Sequence, residues 1–340
     1  MTKIAFSSLP TNLSPQRSAA ALPLEGFASS LPSMRREALY ADSKVQFAGH
    51  ETFPLRLLWL KKAFDAVRDG APSGTFQEQD AIARFGVGRN MAVSIRHWAL
   101  ASGFFEETDR LVSPTSLGRL LLADDGLDPF LERPATIWLC HWHFAATPEV
   151  TTTAFHAFNA LTAIEFDSGA LIDDLFEIVM AKGWRATRGT LKRDVEVFLR
   201  SYVRKGDALN EDAAEPLLAE LGLVREARLG GWYEFVRGPK PNLPDGVFAY
   251  ALADFWRRQG GASTLAAEQI CYAPGSPGRV FKLDEDSVIT RLMHVAELTG
   301  DAWQWTDTAG LRQVQKRDEV DPLALVAGAY TGRRPLGVAA

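Results

Sequence analysis

Phe76-Gln77-Glu78-Gln79-Asp80-Ala81-Ile82-Ala83-Arg84-Phe85, then Gly86-Val87-Gly88, then Arg89-Asn90-Met91-Ala92-Val93-Ser94-Ile95-Arg96-His97-Trp98-Ala99-Leu100-Ala101-Ser102-Gly103, is the stretch that decides the fold. The glycine-bounded break separates two helical patterns. In the second, Met91, Ile95, Trp98 and Ser102 share one face, the three- and four-residue spacing of a helix packed on one side. Gly103 is a natural C-terminal stop. Beyond it, Phe104 to Glu107, a polar turn at Thr108-Asp109-Arg110, and Leu111 to Ser113 read as a two-stranded ribbon. Helix, short turn, helix, ribbon is the outline of a winged helix-turn-helix. Thr115 to Ala123 is the helix that closes it.

Upstream, Gly49-His50-Glu51-Thr52-Phe53-Pro54-Leu55-Arg56 leads into Leu57 to Val67. Thr52 fits an N-cap, and a proline in the first turn sacrifices no hydrogen bond. Phe53, Leu57, Leu60, Phe64 and Val67 then form an apolar stripe, with Arg56, Lys61 and Lys62 off it. Residues 1–45, with four prolines among many serines and alanines, read as a flexible N-terminal arm.

Downstream, apolar helical segments at 135–146, 153–162 and 170–181 are followed by the most charged window of the chain. From Lys182 to Lys205 eight bases stand against two acids, Asp194 and Glu196, although the whole chain carries a net charge of −5. Thr190 can cap a helix over 191–203, with Leu191, Val195, Phe198, Leu199 and Tyr202 inward. Residues 212–237 repeat the helix-and-ribbon outline more weakly, as a second winged element. Helices over 247–258, 263–270 and 287–299 and a terminal hairpin over 302–315 complete the expectation.

The expected fold class is therefore mainly α with short β-wings, winged helix-turn-helix modules in a helical multi-domain protein. Its expected divisions are an arm (1–45), a winged domain (46–125), a helical middle domain with the basic helix (126–210), and a C-terminal α+β domain (211–340).

With 340 residues, 46% hydrophobic and 23% charged, the composition is that of a soluble globular protein. Disordered, collagen-like and coiled-coil chains are excluded. No apolar run approaches the ~18 residues of a membrane span. Cys140 and Cys271 make no disulfide framework or paired zinc motif, so a cytoplasmic location is expected. Phosphate-loop, G-x-S-x-G and H-E-x-x-H motifs are absent, which leaves no nucleotide or zinc signature. His141 and His143 lie about 200° apart on a helix and do not converge on a metal.

Helix N-termini bind phosphate, and Arg and Asn read base edges. The candidate nucleic-acid residues are Arg56, Lys61, Arg84, Arg89, Asn90, Ser94, Arg96 and His97 in the first module. Arg185, Arg188, Lys192, Arg193 and Arg200 join them from the basic window. Against this, winged modules also dock proteins, and Glu106, Glu107 and Asp109 make the ribbon acidic. His50 and Glu51 beside a helix start offer general-base chemistry on a phosphodiester, or simply shape the turn and favour the helix dipole. Asp194 and Glu196, amid bases, are candidates for catalysis and for Mg²⁺ or Mn²⁺; Asp173, Asp174 and Glu177 are another acidic option.

The Gly49–Arg56 motif, with Gly86-Val87-Gly88-Arg89-Asn90-Met91 and Asp307-Thr308-Ala309-Gly310-Leu311, resembles an SspB-like bacterial family long labelled as of unknown function. Its members occur in DNA phosphorothioation clusters of Ssp antiphage systems. The similarity runs from about Phe47 to the C-terminus. It implies a DNA nickase that cuts one strand for sulfur incorporation. The implied partners are a cysteine desulfurase, a reductase-like sulfur-transfer enzyme and an ATPase. No catalytic motif transfers residue by residue. A non-enzymatic DNA-binding regulator or recruitment subunit is the alternative.

Overall fold

In the computed structural model, residues 37–40, 43–77, 81–204, 216–228, 230–308 and 310–331 are described. Within them helices predominate, and nine strands fall into three small antiparallel sheets. The first sheet follows α1 (Trp59–Val67), β1 (Ala71–Pro72), a 3₁₀ turn (Ser73–Phe76), α2 (Ala81–Phe85), α3 (Arg89–Ala101), β2 (Phe105–Thr108) and β3 (Leu111–Pro114). Its order is β1-β3-β2, with Phe105 opposite Pro114 and Thr108 opposite Leu111. Next, α4 (Ser116–Leu122) starts where the Thr115 hydroxyl accepts from the Gly118 N–H.

The same order recurs twice. A helix, a strand, two or more helices and a hairpin succeed one another, and the lone strand pairs with the hairpin's second strand. In the second instance these are α6 (Thr152–Asn159), β4 (Glu165–Asp167), α7 (Ser168–Lys182), α8 (Arg188–Tyr202), β5 (Val224–Arg228) and β6 (Trp232–Phe235), ordered β4-β6-β5. A 3₁₀ turn at Leu217–Leu221 precedes the hairpin. In the third they are α9 (Asp245–Arg257), β7 (Thr264–Ala266), α10 (Ala267–Tyr272), α11 (Pro277–Val280), α12 (Glu285–Met293), α13 (Val295–Leu298), β8 (Trp303–Thr308) and β9 (Leu311–Lys316), ordered β7-β9-β8. The second sheet joins residues from both sides of position 210, because β4 pairs with β6. The last helix, α14 (Pro322–Thr331), lies against α9.

Helix α5 (Pro134–Ala145) follows the first instance in the chain and packs against helices of all three. It is apolar on all sides and buries Trp138, Leu139, Cys140, His141 and Trp142 completely, the signature of a helix enclosed by others. One contiguous core runs from Leu55 to Val326. His141 and His143 diverge as expected: His141 faces Tyr202 (2.7 Å) and His143 faces Tyr250 (3.0 Å). Among the described residues no helix is long and apolar enough to cross a membrane.

Several sequence expectations shift. The first helix begins at Trp59, not at Phe53. Thr52 and Leu58 have φ near +67°, which a continuing right-handed helix forbids, and Leu57 is half exposed. The basic helix starts at Arg188 behind a Thr187 cap rather than a Thr190 cap. Residues 264–266 are strand, and a break at His294 divides the helix expected over 287–299. Residues 1–36, 41 and 42 of the expected arm, and 212–215 of the expected second-element helix, lie outside the described residues. Tyr40, just within them, is buried with its hydroxyl 2.6 Å from His156 Nδ1.

Candidate functional site

The loop that replaces the expected helix start is conformationally constrained. Ala48, Glu51, Thr52 and Leu58 all have positive φ, a conformation costing about 1–3 kcal/mol per non-glycine residue and retained where surroundings enforce it. The enforcement is visible. Both Asp194 carboxylate oxygens lie within reach of the Ala48 N–H, at 2.9 and 3.2 Å, and Asp194 Oδ1 lies 3.1 Å from His50 Nε2. The Thr52 N–H donates to His50 Nδ1 at 3.2 Å. Thr153 Oγ1 on α6 donates to Asp194 Oδ2 at 3.5 Å. Two candidates 144 positions apart thus meet, and α8 is fastened to the loop by its buried face.

The other wall comes from α3. His97 is buried 5.8 Å (ring centroids) from His50, edge to face, and Trp98 Nε1 donates to the Phe53 carbonyl at 2.9 Å. A Cβ on Gly49 would fall 2.3 Å from Gln46 Nε2 and 2.4 Å from His97 Nδ1, so only glycine fits between them. Burial, then the neighbouring His50 and Arg96, push His97 down to about 3; it is neutral at physiological pH. Between these elements lies a cavity with about 40 Å³ open to the centre of a water molecule, enough for a few waters. His97 Nε2 is buried there without a protein partner.

The remaining candidates divide sharply. Glu51 is exposed at the loop surface. Glu196 is exposed and 3.9 Å from Lys192 Nζ, away from Asp194. The rotation that separates His141 from His143 also separates this pair, so Asp194 and Glu196 do not form a joint metal or catalytic site. Asp173 pairs with Arg188, and Asp174 lies 2.9 Å from His156 Nε2.

Lys61 is buried and tied to Asp124 (2.7 Å) and the Leu122 carbonyl. Ser94 and His97 are buried too, because α3 is packed on two faces rather than one. Arg96 pairs with Glu107 on β2. These four are engaged internally. Arg84, Arg89 and Asn90 are exposed around the open Gly88 helix start, where an added Cβ would meet nothing. Arg56 lies over the Trp59 ring. Arg185, Arg188, Lys192, Arg193 and Arg200 are all exposed, and Arg200 donates to the Thr52 carbonyl at 3.2 Å. Gln46 and Thr153 carry no local signal, because their roles depend on contacts 51 and 41 residues away.

Residues 47–330 match the family described as "Protein of unknown function (DUF4007)". The chain belongs to that family. Two SspB crystal structures, one with bound magnesium ion, are similar to this DUF4007 protein: each is 27% identical, with 87% of this chain and 90% of theirs covered and a TM-score of 0.75. No curated protein matches it.

A magnesium ion wants near-octahedral oxygen ligands. In this DUF4007 chain the described residues contain no group of three or more His, Cys, Asp or Glu placed to hold a metal. The oxygens of Asp194 already accept from the Ala48 N–H and Thr153 Oγ1, and Oδ1 lies against the His50 ring. The Asp194 neighbourhood does not fit the ion.

If Asp194 holds the loop, Asp194→Asn is expected to cost about 1–3 kcal/mol, because an amide group replaces one acceptor facing the Ala48 N–H and His50. Urea melts of the two proteins check this. An unchanged midpoint would mean that the loop is held by other contacts.

Proposed function

We propose that this chain is a DNA-engaging component of a DNA phosphorothioate-modification system that nicks one strand so that sulfur can be incorporated. The observation that carries the reading is the two-sided construction of α8. Its inner face holds the Gly49–Arg56 loop through Asp194, while its outer face presents Lys192, Arg193 and Arg200 to solvent. In the first two units the third helix, α3 or α8, has the place in element order that a recognition helix has in a winged helix-turn-helix, which supports this reading. On this reading α3 offers Arg89 and Asn90 at an open helix start, and α8 offers a phosphate-tracking surface. The sulfur-donating partners are a cysteine desulfurase and a reductase-like transfer enzyme, with an ATPase, as the likeness to SspB proteins implies.

One observation favours a second reading, in which the chain recruits these partners without cutting. His50 Nδ1 accepts from the Thr52 N–H, and Nε2 is buried 3.1 Å from Asp194 Oδ1 without a hydrogen-bond partner. Nδ1 is thus occupied and Nε2 is closed off from solvent, so His50 would meet a substrate only if the loop rearranged. Incubation with supercoiled plasmid separates the readings. Nicking predicts open circle in Mg²⁺ or Mn²⁺ buffer and none after EDTA. Retained binding with no open circle under any condition would leave recruitment.

A further inference from the structure

The fold turns two leucines outward where a longer helix would have buried one of them. Leu57 and Leu58 are 50% and 40% exposed, and neither joins the core. The spacing of Phe53, Leu57, Leu60, Phe64 and Val67 puts Leu57 on the inner stripe of a helix begun at Phe53. Instead Leu58 stands at φ 67°, a left-handed setting that is costly for any residue with a side chain. Strain that persists while adjacent apolar surface stays wet points to a contact outside the chain.

The surroundings say what kind of contact. On one side the exposed Arg200 of α8 donates to the Thr52 carbonyl at 3.2 Å. On the other, the Leu58 carbonyl accepts from the Lys62 N–H at 2.9 Å, and Lys62 Nζ reaches the Phe85 carbonyl at 2.7 Å, at the break before α3. The leucines therefore lie on the chain between an anchor on α8 and an anchor at the α2–α3 break. Exposed Arg84 lines the same open groove as Lys62, and Asp65 in that groove is shared by Lys61 and Arg68. Arg56 precedes the leucines directly, and Glu51 is the single acid from 46 to 58. Cations thus flank the apolar pair, and a polyanion complements them. Apolar side chains set among phosphate-contacting cations are the means by which proteins enter a base step and unstack it.

We propose that Leu57 and Leu58 form an apolar wedge that enters a base step of a bound duplex. The proposal deepens the DNA reading above and rests on it. It assigns the outward leucines of the motif loop a role that neither helix supplies: α3 and α8 offer phosphate contacts, and the wedge deforms the stack between them.

The test uses the full-length protein and a duplex of about 30 base pairs with 2-aminopurine at several TA steps, which unstack most easily. Saturating protein is expected to raise the 2-aminopurine fluorescence about twofold, while anisotropy of an end label reports binding across a salt series. Leu57→Ala combined with Leu58→Gly removes both side chains, and glycine adopts φ 67° without strain, so Tm should not fall. That variant should keep the salt slope, because phosphate contacts are untouched, and lose the fluorescence rise. Leu57→Phe, still an apolar wedge, should retain it. If the double variant melts early, Leu58→Gly alone carries the comparison and should lose most of the rise. Wild-type binding without a rise overturns the wedge and leaves the DNA reading standing, as does an equal rise from the leucine-free variant. Absence of duplex binding at low salt overturns both, and the leucines then face a protein partner.

Discussion

Acidification from pH 6.5 to 4.5 is expected to remove on the order of 6 kcal/mol of folding stability, comparable with the whole stability of many domains. The source is three imidazoles that the fold keeps neutral. Burial lowers His97 and His141 to about 3 and His143 to about 4. For His97 the nearby His50 and Arg96 add to burial. For His141 the hydrogen bond to the Val280 carbonyl pulls weakly the other way, and for His143 so does Asp254. In the unfolded chain each ring takes a proton near pH 6.5. Below that pH the unfolded state therefore binds up to three more protons than the folded one, and stability falls as pH falls. The loss continues to about pH 4, where the folded state itself begins to protonate. The full slope is about 4 kcal/mol per pH unit.

Urea melts between pH 7 and pH 5, read by tryptophan fluorescence, measure that slope. His97→Gln should reduce it by about a third, because one of the three proton differences disappears. Stability that stays flat over this range would mean that the three rings gain protons inside the fold, and that water reaches them. The carboxylate of Asp254 adds to the loss only at lower pH, since Arg258 and Arg257 hold it below its ordinary range despite burial.

What could be read from the chain in advance was local. The Gly88 break, the α3 period and the ribbon after Gly103 follow from residues within one turn or one hairpin of each other, and all appear. The hairpins around Gly230-Gly231 and Gly310 were equally legible, since positive-φ glycine next to alternating aromatic and polar residues has few alternatives. The motif loop was not. Phe53, Leu57 and Leu60 imitate a helical stripe, yet the carboxylate of Asp194 and the indole of Trp98 take up the backbone polar groups of the loop. Those partners lie 146 and 45 residues away, so nothing local opposed the helix. Ser94 and His97 misled for a related reason. Polar residues off an apolar stripe normally face water, but a helix enclosed on two faces buries them as well.

Alanine at Arg185, Lys192 and Arg193 together is expected to weaken duplex DNA binding by about 500-fold at 0.1 M salt. Each phosphate contact contributes a slope of about −0.9 in log affinity against log salt. Three lost contacts therefore flatten the slope by about 2.7, and lines converging near 1 M salt separate by as many decades at 0.1 M. Filter binding across a salt series reads both quantities from one experiment. Thermal stability should hardly change: all three side chains are exposed, and the Lys192–Glu196 contact at 3.9 Å is of the kind worth only tenths of a kcal/mol. Arg89→Ala then asks whether α3 touches the same duplex. The His97 face of α3 and the Asp194 face of α8 line one cavity around the Gly49–Arg56 loop, so the two helices hold a fixed spacing. If both grip one duplex, Arg89→Ala flattens the slope of the triple variant by about one more. If Arg89→Ala leaves that slope unchanged, only α8 tracks the backbone, and the open start of α3 serves another partner.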